Sequence, residues 1–163
     1  MQYSIFDIDN TLVDSSHRQC TLADGTLDLE HWIENNTPEL IRKDLLLPCV
    51  KTIRADYKAG NIIILCTARV LGAADYEFFM ENDIPFHHML DRPQGCTAKD
   101  ADLKEFHLRL FAHNHFMSWA RFCETSLFYD DARPVLIRMK EIGIETVDAV
   151  LWNNKLKRMA RVA

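Results

Sequence analysis

Apolar residues fall in two alternating patterns along the chain: short continuous runs and longer stretches with helical spacing. Tyr3–Phe6, Ile62–Cys66 and residues 126–129 are runs of strand length, and a continuous apolar run suits a strand buried on both faces of a parallel sheet. Residues 86–90 and 145–151 read as two further strands. Between them, residues 48–59 carry Val50, Ile53 and Tyr57 on one helical face and stop at Gly60. Residues 73–82 carry Tyr76, Phe79 and Met80 on one side, and residues 103–123 read as two helices broken near Asn114. A helix from Pro134 through Met139 stops at Gly143. Nearer the N-terminus, an Asp24-Gly25 turn precedes a short helix over residues 29–35, with Trp32 and Ile33 on its buried side. Strands alternating with helices predict an α/β fold, a mainly parallel sheet covered on both faces.

In such sheets ligands bind beyond the carboxyl ends of the strands. Those ends carry the chain's polar chemistry. The first strand runs into Asp7 and Asp9, two carboxylates that repel unless a proton or a cation lies between them. Oxygen-only ligands favour a hard cation such as Mg²⁺, which can also bridge to phosphate oxygens. The second run ends in Thr67-Ala68-Arg69, and the strand at 126–129 ends in Asp130-Asp131. Arg18, in a polar loop shortly after the carboxylates, is a candidate to fork onto a phosphate. Thr97 is a candidate N-cap for a helix in which Asp100 and Lys104 stand i, i+4, so that the carboxylate steadies the ammonium. Lys99 is the rival lysine, and spacing does not choose between them. Adjacent His87 and His88 point to opposite faces of a strand and do not chelate together.

Composition narrows the setting. With 163 residues, 48% of them hydrophobic, the chain is read as one globular domain. Five widely spaced cysteines without a C-x-x-C pair indicate neither a disulfide framework nor a zinc site, so reduced thiols in a cytoplasmic protein are expected. No apolar stretch has membrane-spanning length and no signal-peptide pattern is visible. The net charge of −5 disfavours polybasic nucleic-acid binding.

The order Asp7-x-Asp9-x-Thr11, Thr67, a lysine near position 100, and Asp130-Asp131 resembles the four motifs of the haloacid dehalogenase superfamily of phosphotransferases. The resemblance implies a Rossmann-like three-layer α/β/α fold, Mg²⁺ held at Asp7, Asp9, Asp130 and Asp131, and an aspartyl-phosphate intermediate. It makes Asp7 the nucleophile, Asp9 the general acid/base, and Thr67 and the lysine stabilisers of the transferring group. More narrowly, Arg18, Thr67-Ala68-Arg69, Lys99-Asp100 with Lys104, and Asp130-Asp131 followed by a helix to Gly143 are similar to the phosphatase domain of phage-type polynucleotide kinase/phosphatase. That likeness assigns substrate binding to Arg18, Arg69, Asp100 and Lys104, with Lys99 in reserve, and implies removal of 3′-phosphates from nucleic-acid ends or nucleotides. Asn10 stands where that domain commonly has Gly, and Ala132 where it commonly has Arg. No G-x-x-x-x-G-K-[ST] is present, so no kinase activity is expected. Any cover over the site must come from a small cap insertion around residues 13–47, which leaves room for a polymer end. The competing expectations are a phosphatase of a small phosphorylated metabolite and a non-catalytic nucleotide-binding module.

Overall fold

The computed structural model describes residues 2–20, 22–23 and 28–161; the Asp24-Gly25 turn lies outside them. In chain order the strands are β1 (Tyr3–Phe6), β2 (Val13–Asp14), β3 (Leu45–Leu46), β4 (Ile62–Cys66), β5 (His88–Leu90), β6 (Ser126–Asp130) and β7 (Glu145–Asp148). The helices are α1 (Leu29–Glu34), α2 (Pro38–Ile41), α3 (Val50–Lys58), α4 (Ala73–Glu81), α5 (Asp100–Asn114), α6 (Trp119–Glu124), α7 (Arg133–Glu141) and α8 (Ala149–Met159). A 3₁₀ turn covers Ser16–Arg18.

Five strands form one sheet in the order β5-β4-β1-β6-β7, and every pairing in it is parallel. The period-two alternation of strand residues splits the core into two. Phe6, Ile63 and Leu65 face Val50, Ile53, Phe78 and Phe79 of α3 and α4, with Trp152 of α8 packed against them. Tyr3, Ile5, Ile64, Cys66 and Phe128 face Leu108, Phe111, Phe122, Val135 and Met139 of α5, α6 and α7. This is the three-layer α/β/α architecture. The chain turns back after β5 and crosses to the far side of β1, so the crevice at the carboxyl ends opens around the central strand.

Between β1 and α3 the chain makes an excursion. β2 and β3 pair antiparallel, Val13 with Leu46 and Asp14 with Leu45, and α1 and α2 lie between them.

Several sequence expectations shift. Ile33 is 72% exposed; α1 turns Trp32 inward instead, against two arginines. The buried face of α4 is Asp75, Phe78 and Phe79, while Met80 is exposed. A carboxylate had taken a core position, and an apolar count reads the wrong stripe. Tyr57 is also exposed, stacked on His87. Helix α5 begins at Asp100 with Lys99 rather than Thr97 at its N-cap. The last strand stops at Asp148, whose side chain accepts from Leu151 N–H and caps α8, so residues 149–151 are helical.

Helix α5 ends in a Schellman-type turn. Met117 N–H bonds Ala112 C=O, and Phe116 takes φ 55° with its ring 99% exposed.

Candidate active site

The register of the sheet assembles the site. Phe6 pairs with Leu65 on one side and Tyr129 on the other, so Asp7 emerges next to Asp130 at the end of the neighbouring strand. The Asp7 N–H still bonds Tyr129 C=O at 2.9 Å, which keeps Asp7 on the sheet. Lys104, on the second turn of α5, is buried between them. Its Nζ lies 2.8 Å from Asp7 Oδ1, 2.7 Å from Asp130 Oδ2 and 3.3 Å from Asp100 Oδ1. Asp130 Oδ1 accepts from Ala132 N–H at 2.8 Å. One carboxylate oxygen from each of Asp7, Asp130 and Asp131 falls within a 4.8 Å span.

This cluster is short of positive charge. Burial pushes the Asp7 carboxyl well above the usual range, and the neighbouring carboxylates add to the effect while Lys104 opposes it. Burial also raises Asp131, and pushes Asp130 up to about 6 against the pull of Lys104 and the Ala132 N–H. Burial alone would discharge Lys104, but Asp7, Asp130 and Asp100 outweigh it and hold the ammonium above its ordinary value. One ammonium among these carboxylates leaves negative charge uncompensated, which a hard divalent cation would offset.

Asp9 belongs to a second network. Its Oδ1 accepts from Ser15 Oγ–H at 2.6 Å and from Arg69 Nη1 at 3.3 Å. Arg69 also pairs with Asp75 at 2.5 Å, approaches Asp44 at 4.0 Å and donates to Asn36 Oδ1 at 3.4 Å. Its buried Nε has no hydrogen-bond partner among the described residues. Thr67 Oγ1 accepts from Arg69 N–H at 3.1 Å, fixing the turn that leaves β4.

Arg18 differs from its expected position. It is fully buried and forks onto Asp44, with Nε at 2.9 Å and Nη2 at 2.8 Å, while Nη1 reaches Asn36 at 3.0 Å. Trp32 lies 4.4 Å under this guanidinium and 5.5 Å from that of Arg69. The Arg18 fork is therefore spent inside the 13–47 excursion and is not presented to a ligand. Lys99 is exposed, so Lys104 is the lysine at the carboxylates. Asn10 takes φ 58°, a left-handed conformation that Asn tolerates better than most residues, which accounts for Asn where Gly was expected. Asp44, Asp75 and Asn36 carry no signal of this role in the sequence, because their partners come from other elements, and Trp32 reads there only as a buried helix residue. Beside Asn10 runs a groove of about 300 Å³ bordered by Asp14, Ser16, Leu47, Asn154 and Lys157.

An all-parallel α/β/α sheet carrying D-x-D at the first strand end, a buried lysine and a later acidic pair has the fold of the haloacid dehalogenase-like hydrolases. A narrower kinship comes from the sequence: the family described as Bacteriophage T5 5′-deoxynucleotidase matches residues 1–92, more than half of the chain, and the chain belongs to that family. It is 28% identical to the 5′-deoxynucleotidase of Escherichia phage T5, over 93% of this chain and 68% of that protein. A haloacid dehalogenase-like hydrolase from Streptococcus pneumoniae superposes with a TM-score of 0.62 at 13% identity, over 100% of this chain and 99% of the other. A chain of the Pnkp1/Rnl/Hen1 complex gives 0.59 at 19% identity, over 90% of this chain and 45% of that one. These two share the fold. No helix among the described residues is long and apolar enough to cross a membrane.

Proposed function

We propose that the chain is a divalent-cation-dependent phosphatase of nucleoside monophosphates that works by transient phosphorylation of Asp7. The observation that carries the reading is the convergence of Asp7, Asp130 and Asp131 on one 4.8 Å span beside Lys104. Kinship with a 5′-deoxynucleotidase supports a nucleotide as the ester.

An undercharged, all-oxygen cluster fits Mg²⁺, held by Asp7, Asp130 and Asp131 with the Asp9 backbone carbonyl as a further donor. When bound, the ion offsets the charge that otherwise opposes a carboxylate approaching a phosphate. Lys104 fixes one oxygen of Asp7 and so sets the direction in which the nucleophile faces. Ser15 and Arg69 occupy Asp9 Oδ1, leaving Oδ2 to carry the transferable proton. Asp7 attacks phosphorus, the ester P–O bond breaks, and the leaving oxygen takes the proton of Asp9. Water then attacks phosphorus, gives a proton to Asp9, and the bond to Asp7 breaks to release phosphate. Thr67 and Arg69, whose Nε–H has no partner among the described residues, would donate to phosphate oxygens. Residues 13–47 act as a small cap over the carboxyl ends of the strands.

A 3′-phosphorylated nucleic-acid end is the second reading, favoured by the smallness of that cap. Phosphate release is measured from deoxynucleoside 5′-monophosphates, 3′-monophosphates and a 3′-phosphorylated oligonucleotide, with Mg²⁺ or chelator, and with Asp7→Asn as control. The 5′-monophosphates are expected to turn over fastest, and only with the cation. Preference for the oligonucleotide puts the second reading in place of the first; turnover no better than Asp7→Asn on every ester defeats both.

A further inference from the structure

Helix α8 is joined to the loop that carries Asp9 through Asn153, which also borders the groove beside Asn10. Asn153 is buried, and both ends of its amide are engaged. Its Nδ2–H donates to the Thr11 carbonyl at 3.0 Å, and its Oδ1 accepts from the Cys49 N–H at 2.7 Å. Thr11 lies two positions before the cap begins at Val13, and Cys49 two positions after it ends at Leu47. One amide therefore fastens both stems of the cap to the same point of the core.

The entering stem is the loop that carries Asp9. It is tightly wound: the Ile8 carbonyl accepts from the N–H groups of Leu12 and Val13 at 2.9 and 3.0 Å, and the Asn10 N–H bonds Val13 C=O at 2.7 Å. The Thr11 carbonyl faces away from this winding and finds its partner on α8. The returning stem is joined to the entering one by Leu47 N–H to Leu12 C=O at 2.8 Å. The Cys49 N–H is one of the donors that the start of α3 cannot satisfy within the helix. Loss of the Asn153 amide would strand a buried carbonyl and a buried N–H at the two places where the cap is hinged.

We propose that Asn153 is a positioning residue of the reaction: by clamping both stems it sets where Asp9 stands relative to Asp7. The inference rests on the phosphatase reading above. A displacement of about 1 Å in a reacting group costs on the order of 100-fold in rate, so a modest shift of the loop is enough to be read kinetically.

Asn153→Asp keeps an acceptor for Cys49 and loses the donor to Thr11. Trp152→Phe is the control. It removes the bond from Trp152 Nε1–H to Thr52 Oγ1 at 2.8 Å, which ties the same helix to α3 without touching either stem. Two esters are compared, a deoxynucleoside 5′-monophosphate and p-nitrophenyl phosphate, whose leaving group departs without needing the Asp9 proton. For Asn153→Asp, kcat/KM on the nucleotide is expected to fall about 10- to 100-fold, and several-fold less on the aryl ester, with the KM for the nucleotide changed less than about threefold; a loss carried by KM alone makes Asn153 a wall of the groove beside Asn10 and overturns the proposal. Trp152→Phe is expected to lower Tm while keeping kcat/KM within about twofold on both. Equal losses on the two esters, no loss at all, or a matching loss in Trp152→Phe reduces Asn153 to a stability residue and overturns the proposal. If Asn153→Asp is recovered unfolded, Asn153→Ala is read by the same criteria. A wild type that cleaves neither ester overturns the phosphatase reading, and this inference with it; an active wild type beside an equally active Asn153→Asp overturns this inference alone.

Discussion

The lysine cluster around Asp7 and the arginine cluster around Asp44 are both buried, yet they are balanced differently. In the first, one ammonium is shared by Asp7, Asp100 and Asp130, with Asp131 close by, and negative charge is left over. In the second, two guanidiniums meet Asp44 and Asp75 and a tryptophan face, and Asp44 has both oxygens engaged by one arginine. A self-satisfied ion pair holds structure in place, whereas an undercompensated group of carboxylates is arranged for a ligand that arrives later. Arg69 stands between the two, touching Asp9 from the satisfied side. The difference separates residues that bind from residues that build, which residue type alone does not.

The largest break in this comparison is at the nucleophile. Asp7→Asn is expected to lower phosphate release by about 10⁴-fold or more, since an amide does not form the acyl phosphate and the other two carboxylates are the ones that would hold the cation. Retention of more than about one per cent of the activity would show that Asp7 is not attacked. Next comes the arginine cluster. Arg18→Met leaves the Asp44 carboxylate buried without its fork and is expected to cost about 3–5 kcal/mol in denaturant unfolding. The double change Arg18→Met with Asp44→Leu should recover much of that loss, because it removes both charges of the buried pair together and leaves neither unpaired. If the double variant stays as unstable as the single one, Asp44 has a further role at Arg69.

The lysine cluster is tested through pH. The folded Asp130 carboxyl titrates near 6 against about 3.9 unfolded, so the fold favours its protonated form. Its stabilising contribution is whole below the unfolded value and is lost as pH rises through about 6, an effect on the order of 3 kcal/mol. The Tm of chelator-treated protein is expected to fall between about pH 4 and about pH 6 and to level off above about pH 7, and added Mg²⁺ to remove the fall. A Tm that rises with pH when no cation is present would mean that Lys104 already compensates the cluster. The smallest effect belongs to a third kind of pair: Arg42 and Glu77 meet at 3.2 Å with half their side-chain surface in water. Glu77→Gln is expected to cost less than about 0.5 kcal/mol, and a cost above about 1 kcal/mol would make this surface contact a true tie between α2 and α4.

What the sequence made legible follows from local rules. A run such as Ile62–Cys66 has one reading, and the residue after a buried strand stands at its carboxyl end, so Asp7, Thr67, Asp130 and Asp131 were placed by the strands themselves. Asp100 and Lys104 were legible because i, i+4 is a contact rule of the helix. The rest depends on distance in sequence. Arg18 was read as a ligand of phosphate, but its partner Asp44 lies 26 positions away across an aperiodic segment. Asp75 was hidden because acids do not count toward an apolar stripe, and its partner comes from the end of another element. Helix α8 was lost through one ambiguity: Ala149 to Leu151 suits a strand as well as a helix, and only the Asp148 cap decides. With the helix went Asn153, whose partners are 104 and 142 positions distant.

The short ladder between β2 and β3 gives the excursion between β1 and α3 an unusual independence. Its rungs, Val13 with Leu46 and Asp14 with Leu45, bring the two ends of the excursion to the spacing of neighbouring strands, about 5 Å. Whatever lies between them joins two points that are already adjacent. A replacement of twice the length adds only about 0.6 kcal/mol of closure entropy. The fold can thus exchange this segment for another while the carboxylates behind it stay where they are.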